Sequence, residues 1–349
     1  MKTAFRTSPV RKQSGLTLLE LLVALGLGLI VVAIAAAALL LGQRGYRAVD
    51  ATTALRDRER FATDLISRVV VQAGFQDFGT AKVALRSTAT ALGNDPEPDI
   101  FGWNNAVYKK PDDLFLSTGT KITTGNRPGD CGSTTDTSCL NGSDVLVIRF
   151  QGVSTASGGK TADNTMINCA GQGEAGLVTG DLNDRAISMF HVARGTNGEP
   201  ALYCSYYVFN PTGSTVPDWS TPQPMIEGVE TFQVLYGTDG VSAATVPSTA
   251  AGAQDSVADR WLRADQLTVA LNPAATRENW RRVRAVKIGM VLRAPIGSAP
   301  QSTTATFAPL GSLYVSSSDA GTSLVVAADS RLRMVSNLSV HLRNDLTLR

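Results

Sequence analysis

The sequence predicts an α+β protein in which one long amino-terminal helix precedes an antiparallel, β-rich head. Three observations lead to this prediction. Residues Leu21–Leu41 contain no ionisable side chain. The residues after them place apolar side chains at three- and four-residue steps, which is the period of an amphipathic helix. Beyond Phe75 the sequence changes to short apolar or alternating runs separated by Gly, Ser, Thr, Asn and Pro, a texture typical of strands and turns.

The charges of this 349-residue chain are unevenly distributed. The formal net charge is +2, from 32 Lys and Arg against 30 Asp and Glu. Residues 1–15 hold four of the basic side chains and no acidic one, which leaves 28 basic and 30 acidic residues in the remainder. Proteins bind nucleic acid through a basic patch or stripe, which a near-neutral body with evenly spread charges would lack. We therefore expect no specific nucleic-acid partner.

The basic leader and the apolar run together predict a single membrane-spanning helix. The 21 residues Leu21–Leu41 are long enough, at about 1.5 Å per residue, to cross a hydrocarbon core of about 30 Å. A secretory signal peptide has a shorter apolar region of about 7–15 residues. Cations before the span favour an amino terminus in the cytoplasm. The head would then lie on the periplasmic side of the inner membrane.

Glu20 is the residue that a plain membrane anchor does not explain. It immediately precedes the uncharged run. A carboxylate in hydrocarbon costs several kcal/mol unless it has a partner, and such residues are candidates for function. Two interpretations stay open on this evidence alone: Glu20 lies among solvated headgroups, or it pairs with a cation at the same depth.

The string from Ser14 to Val23, SGLTLLELLV, resembles the class III signal of type IV prepilins. In that family a basic leader ends in Gly, and a Glu follows at the fifth mature position. The resemblance implies that a prepilin peptidase cuts after Gly15, that Leu16 becomes the methylated amino terminus, and that Glu20 pairs with the free amine of a neighbouring subunit. The usual first mature residue is Phe, so Leu16 departs from the family pattern.

A continuous helix is predicted from Leu16 to about Ala73, because no Pro occurs between Pro9 and Pro96. Its second half should bury one face against the head. The predicted organisation is a leader at 1–15, a membrane and filament helix at 16–41, an amphipathic helix at 42–75 and a periplasmic head at 76–349. The buried stripe is predicted to consist of Val49, Leu55, Ala62, Leu65, Ile66, Val69 and Ala73.

Within the head, several runs have the composition of strands, and one has the composition of a short helix. The helix is predicted over residues 276–282, with Trp280 as its apolar anchor. Strands are predicted over residues 144–150, 201–209, 230–236 and 286–292, and around 338–342 near the carboxyl end. The runs at 230–236, 286–292 and 338–342 alternate, which predicts one buried and one solvated face.

The four cysteines are Cys131, Cys139, Cys169 and Cys204, all beyond the apolar segment. An even number of cysteines in a translocated domain predicts two disulfides, and the sequence allows three pairings. We favour Cys131–Cys139 with Cys169–Cys204. Their spacings are not those of a zinc site, and we expect no metal and no cofactor.

Other short stretches match known binding motifs in part but lack the surrounding residues that those motifs need. Residues 171–176 match GxGxxG, but no helical pattern follows them. Residues 181–184 begin like a calcium loop that lacks its sixth-position Gly and closing Glu. The densest basic cluster (Arg281, Arg282, Arg284 and Lys287) is interpreted as a solvated face rather than a polyanion site.

Two stretches of the head, together with its end, resemble PilW-type minor pilins. The matching blocks are residues 229–237, 279–288, 329–335 and 340–344. The resemblance implies a type IV pilin-like fold and a low-abundance subunit of a tip complex that primes pilus assembly for adhesion and twitching motility. It also implies as partners other minor pilins, the major pilin and a large tip adhesin, with a final location at the pilus tip.

Three alternatives to this interpretation remain open. One is a module that binds DNA or surfaces through Arg281, Arg282 and Arg284. A minor pseudopilin of a type II secretion system shares the whole amino-terminal signal. A membrane-tethered periplasmic hydrolase would need His191 or His341 beside an acid and a nucleophile in a cleft. With only two histidines and no convergent catalytic set in the sequence, we expect no enzymatic activity.

Overall fold

The computed structural model describes residues 15, 17–77, 98–107, 140–156, 159–176, 185–208, 218–250, 254–299 and 304–344. The chain divides into two compact units, Met1–Asp50 and Ala51–Arg349. One helix, α1 (Leu18–Val71), contributes residues to both units. The predicted long helix is therefore confirmed, two residues shorter than expected at each end.

In the first unit, α1 is apolar on all sides between Leu21 and Leu41. Its large aliphatic side chains between Leu18 and Leu41 are 53–76% exposed. Among the described residues, α1 alone is long and apolar enough to cross a membrane. A helix that is hydrophobic all round is stable in lipid or among other apolar helices, but not in water.

In the second unit, the remainder of α1 buries one face in the core. Burial begins at Ala51, which is 8% exposed, and Leu55, which is 2% exposed. The predicted stripe is confirmed except at Val49, which is 67% exposed. The prediction was wrong at Val49. Helical periodicity indicates on which face of the helix a residue lies, but not where along the helix that face becomes buried. The other buried apolar residues of this part of α1 are Ala62, Leu65, Ile66, Val69 and Val70.

The head contains two main antiparallel sheets and a short two-stranded one. The first sheet has the order β1-β2-β3-β4-β5, with β6 also pairing β4. Its strands are Ile100–Trp103, Val145–Phe150, Ala186–Arg194, Pro200–Val208, Asp218–Trp219 and Gln223–Glu227. The second sheet has the order β12-β9-β7-β8. Its members in chain order are β7 (Val229–Thr238), β8 (Arg260–Leu262), β9 (Val283–Arg293) and β12 (Arg333–His341), and the short sheet pairs β10 (Ala305–Phe307) with β11 (Leu324–Val326).

These strands confirm the predicted β-rich head, but β7 and β9 lack the solvated face that their alternation predicts. In β9 only Lys287 and Arg293 are half-buried, and the other residues are buried. All ten residues of β7 are buried, although the alternating sequence predicts a solvated face. The polar face is covered by the turn that precedes β2. There the Gln233 side-chain amide donates to the carbonyl oxygen of Gly142 (2.6 Å), and the Asn141 amide donates to that of Glu230 (2.7 Å).

Helix α2 (Pro273–Arg281) confirms the predicted short helix and begins three residues earlier than expected. The Asn272 side chain accepts from the backbone N–H of Ala275 (3.0 Å), and Pro273 fits the first helical position, where no N–H bond is needed. Trp280 is 3% exposed and packs edge-on against Tyr236 of β7 and Phe101 of β1, at centroid distances of 4.7 and 6.5 Å. One aromatic anchor thus packs against both sheets.

Candidate functional site

Thr17 and Glu20 form a reciprocal cap at the amino end of α1. The Glu20 carboxylate accepts from the backbone N–H of Thr17 (3.1 Å) and from its hydroxyl (3.2 Å). In return, the Thr17 Oγ1 accepts from the backbone N–H of Glu20 (3.3 Å). This is the capping box, which satisfies amides that the first helical turn leaves without partners.

The cap gives Glu20 a partner within its own chain, a third possibility beside the two left open by the sequence. A carboxylate at this end of a helix is also favoured by the helix dipole. The signal was present in the sequence, since Thr17 and Glu20 have the T-x-x-E spacing of a capping box. Gly15 is exposed with open space around it, and Leu16 lies outside the described residues.

The carboxyl end of α1 is fixed to the head through Gln72. Its side-chain amide donates to the carbonyl oxygen of Ile167 (3.0 Å), and its side-chain oxygen accepts from the Ile167 N–H (2.7 Å). The side-chain amide of Gln72 thus forms with the backbone of Ile167 the same two hydrogen bonds that a residue of a neighbouring strand would form. Because Gln72 is buried, loss of either hydrogen bond would leave a polar atom without water.

Asn344 caps the same end of the helix from the far end of the sequence. Its Nδ2 donates to the carbonyl oxygens of Val71 and Ala73, both at 3.2 Å. Helices leave their last carbonyls without intrahelical partners, so these bonds complete the terminus. Gly74 follows at φ +73°, a conformation that favours glycine. The head therefore orients this part of α1 through both a central loop and its last strand.

A disulfide joins Cys169, in the loop after β2, to Cys204 of β4. Both residues are fully buried, with Cα atoms 5.7 Å apart. Because Cys169 is two residues from Ile167, the bond ties the loop that contacts Gln72 to the first sheet. Cys131 and Cys139 lie outside the described residues.

The loop around Asn168 contains a buried acid. The Asn168 amide donates to the Glu174 carboxylate (2.8 Å), and its oxygen accepts from the Gln172 N–H (3.0 Å). Burial raises the pKa of Glu174 to about 7, although the Asn168 hydrogen bond acts in the opposite direction. The GxGxxG string at 171–176 belongs to this compact loop, with Gly171 at φ +78°. Residues 177–184, where a phosphate site would need a helix, lie outside the described residues.

Three arginines and three acids form a connected ion-pair network across the head. Glu230 of β7 is 4% exposed and accepts from Arg293 (2.9 Å) and Arg333 (2.6 Å). Glu199, in the turn before β4, accepts from Arg293 (2.7 Å) and Arg331 (3.0 Å). The sixth member, Asp329, pairs with Arg333 at 2.6 Å. The hydrogen bond from Arg333 holds the pKa of Asp329 below its usual range.

The network connects the β3–β4 turn of the first sheet to β7, β9 and β12 of the second. The network could not be predicted from the sequence, because its bonded partners are up to 132 residues apart. The only local signal was the density of charged residues in the 329–335 block, which resembles PilW-type pilins and supplies half of the network.

The basic cluster at 281–287 is not a solvated face, and that interpretation was wrong. Arg282 and Arg284 are each 4% exposed. Arg284 pairs with the buried Asp239 (3.1 Å), and Arg282 donates to the carbonyl oxygen of Ser248 (2.7 Å). Lys287 lies over the Tyr314 ring, with its Nζ 4.6 Å from the centroid. Arg282, Arg284 and Lys287 therefore contact neighbouring parts of the head through their cationic groups.

The two histidines lie on different sheets. His191 of β3 is 1% exposed, stacks on Tyr203 at 5.7 Å between centroids, and has its pKa lowered to about 3 by burial. His341 is exposed at the end of β12. Within the described part of the chain, no group of three His, Cys, Asp or Glu residues could hold a metal ion. Residues 181–184 lie outside it.

Comparisons with known proteins agree with this architecture. A family model described as Type IV Pilus-assembly protein W matches residues 189–344. A model of the prokaryotic N-terminal methylation motif matches residues 10–36. The first match begins in β3, well before the blocks recognised in the sequence. No curated protein matches the chain.

Among solved structures, the chain is similar to a type IV-like pilin from Thermus thermophilus. The identity is 13% and the TM-score 0.39, over 83% of this chain and 96% of that protein.

The capped apolar helix, the prepilin-type signal and the antiparallel head define a type IV pilin-like protein. Over residues 189–344 the chain is similar to PilW-type pilus-assembly proteins, which bears out the resemblance found in its sequence. The methylation motif and the exposed apolar helix indicate a membrane-anchored pilin.

Proposed function

We propose that this chain is a minor pilin that joins a tip complex, primes type IV pilus assembly and so supports adhesion and twitching motility. The observation that carries the proposal is the combination, in one helix, of a prepilin-type signal and an all-round exposed apolar surface. Such a helix can pass from the lipid of the inner membrane into a bundle of identical apolar helices without exposing that surface to water.

Processing at Gly15 is the first step of the proposed pathway. A prepilin peptidase cuts after Gly15 on the cytoplasmic face and releases the amine of Leu16. The cut removes four cations, which set the orientation of the precursor, with its amino terminus in the cytoplasm and its head in the periplasm. The mature chain then has a positively charged amine at Leu16 and a negatively charged carboxylate at Glu20, its fifth residue.

Assembly in this proposal uses Glu20. Its carboxylate, capped by Thr17 in the single chain, accepts the Leu16 amine of a neighbouring subunit. Pairing neutralises two charges that would otherwise be costly in an apolar bundle. The partners are other minor pilins, the major pilin and a large tip adhesin at the end of the pilus.

The experiment that tests the proposal is intact mass measurement and amino-terminal sequencing of the protein from cells that make pili. We expect wild type to start at Leu16, with or without a methyl group. Gly15→Val should retain Met1 and stay in the membrane. Gly42→Val is the matched control, because Gly42 also has open space around it but lies far from the cut. A wild-type chain that starts at Met1 in competent cells overturns the proposal.

The type II secretion pseudopilin is the second candidate, since its amino-terminal signal is the same. The PilW-type match over residues 189–344 favours the pilus. Crosslinking in cells that contain both systems separates them: partners among minor pilins support the proposal, and partners among secretion pseudopilins contradict it.

A further inference from the structure

Strand β12 forms one edge of the second sheet and has an unbroken ladder with its only described neighbour. Nine consecutive residues pair with β9, from Arg333 opposite Arg293 to His341 opposite Ala285. No register shift interrupts them. The opposite edge of the same sheet, β8, has only three residues.

The hydrogen bonds at the two ends of β12 show which residues bond to β9. The N–H of Leu342 donates to the carbonyl oxygen of Arg284 (2.8 Å), and the N–H of Ala294 donates to that of Leu332 (2.9 Å). Both pairs continue the register of the ladder. In an antiparallel pair, bonded and non-bonded residues alternate. The even-numbered residues of β12 therefore bond to β9.

The odd-numbered residues direct their backbone N–H and C=O groups away from the sheet. Within the described residues, no backbone group outside the ladder bonds to them. Four of the five also have exposed side chains, Val335 among them at 37%. The five odd-numbered residues are Arg333, Val335, Asn337, Ser339 and His341, of which Arg333 is the half-buried one.

This edge lacks the devices that normally block strand addition. Proteins protect long edges with charges, Pro or bulges. Residues 334–340 of β12, MVSNLSV, contain no charge and no Pro, and the ladder has no bulge. On the face next to α1, Met334 and Leu338 are only partly buried, so apolar surface remains uncovered beside the free edge.

We propose that the outer edge of β12 is a strand-addition site for an extended segment of a different pilus subunit. The added strand runs antiparallel to β12, with apolar side chains beside Met334 and Leu338 and polar ones beside Asn337. This inference rests on the proposed function, since it takes the partner from the same pilus.

A second copy of this chain fits the edge less well. Ser336 Oγ donates to Glu59 Oε1 (3.0 Å), and further along both elements Asn344 contacts the carbonyl of Val71. Residues 51–71 of α1 and strand β12 thus run side by side in the same direction. Antiparallel pairing of two β12 strands would point these helix segments in opposite directions, whereas subunits inserted from one membrane share a direction.

The charges at the end of β12 specify the partner further. His341 and Arg343 are exposed, and within the described residues no carboxylate lies within ion-pair distance of Arg343. An antiparallel partner places its amino-terminal end beside these two residues. We therefore infer that the added strand begins with an acidic residue, which would also orient it.

The test removes one outward N–H from the edge of the full-length chain. Asn337→Pro deletes an N–H that does not bond to β9, and Pro is tolerated at such edge positions. Asn337→Thr is the matched control, which changes the side chain and keeps the N–H. Leu338→Pro removes an inward N–H and calibrates damage to the sheet itself.

We expect Asn337→Pro to unfold within a few degrees of Asn337→Thr in detergent, and to enter sheared pili at a level at least tenfold lower. Leu338→Pro should unfold at a much lower temperature than either. Equal incorporation of the Pro and Thr variants overturns the proposal. If Asn337→Pro unfolds at the same temperature as Leu338→Pro, then the N–H of residue 337 bonds to β9. The proposal, which requires that N–H to face outward, is then wrong. A detergent-solubilised dimer that Asn337→Pro converts to a monomer overturns the choice of partner.

Failure of the underlying function gives a different result. If the chain is not a pilin, wild type itself is absent from sheared pili and retains Met1. If the chain is a pilin but β12 receives no strand, wild type and both Asn337 variants incorporate equally.

Discussion

Glu20→Gln separates the two roles that the structure and the sequence give to Glu20. Gln keeps the length of the side chain and an oxygen that can accept from the Thr17 N–H, so the cap survives. What it removes is the negative charge. If Glu20 acts by pairing with the amine of a neighbouring subunit, then Gln should fail almost as completely as Ala.

The magnitudes follow from the three hydrogen bonds of the cap. Glu20→Ala removes two of them, and Thr17→Val removes the two that involve the hydroxyl but keeps the charge. Loss of a cap costs about 1 kcal/mol, which is about fivefold in an equilibrium. Leaving a charge unpaired in an apolar bundle costs about 3 kcal/mol or more, which is at least about 100-fold.

The assay is the fraction of processed protein recovered in sheared pili relative to membranes, by quantitative immunoblot. Intact mass confirms that each variant starts at Leu16. We expect Thr17→Val to remain within about fivefold of wild type and both Glu20 variants to fall by about 100-fold or more. Incorporation of Glu20→Gln at the wild-type level would refute the charge-pairing argument, as would a loss for Thr17→Val as large as that for Glu20→Ala.

Three further predictions concern the head and are measured by urea unfolding of the full-length chain in detergent. Arg333→Ala leaves the buried Glu230 carboxylate with one guanidinium partner fewer and should lower the free energy of unfolding by about 3 kcal/mol or more. Glu199→Ala removes a carboxylate that is 36% exposed and should lower the free energy of unfolding by about 1 kcal/mol or less. Equal losses for the two variants would contradict the network. Replacing Cys169 and Cys204 by Ser should cost about 3–4 kcal/mol for a separation of 35 residues, and an unchanged midpoint would contradict the bond. The pKa of Glu174 is raised to about 7 in the folded chain, so its contribution to stability is present below pH of about 4.5 and is lost as pH rises to about 7. Glu174→Gln should remove that decline, and a wild-type profile in the variant would show that another group causes it.

The amino-terminal half of the protein could be predicted from its sequence because its properties are local. The span, the helix and the prepilin signal depend on residues adjacent in the chain. Hydropathy, helical period and spacing are all read over short windows. The T-x-x-E cap at Thr17 and Glu20 belongs to the same class of information, although it was not recognised before the structure.

The head was predicted in its elements but not in its partners. Strands, α2 and the Trp280 anchor could be expected from composition and alternation. The fully buried β7 could not, because its second face is covered by the turn at 140–144, about 90 residues earlier. The basic cluster at 281–287 was misinterpreted for the same reason, since the acid that pairs with Arg284 lies 45 residues away.

The sequence by itself determined that this protein has a basic amino-terminal stretch with a prepilin-type motif, a membrane-length helix with an acid at its start, and a β-rich head. Only the tertiary structure decided that Cys169 pairs with Cys204, that three arginines connect the sheets, and that no other described strand pairs with the outer edge of β12. Each of these depends on which distant residues meet. Loop-closure entropy and packing across the whole chain decide which distant residues meet, and a short stretch of sequence does not contain that information.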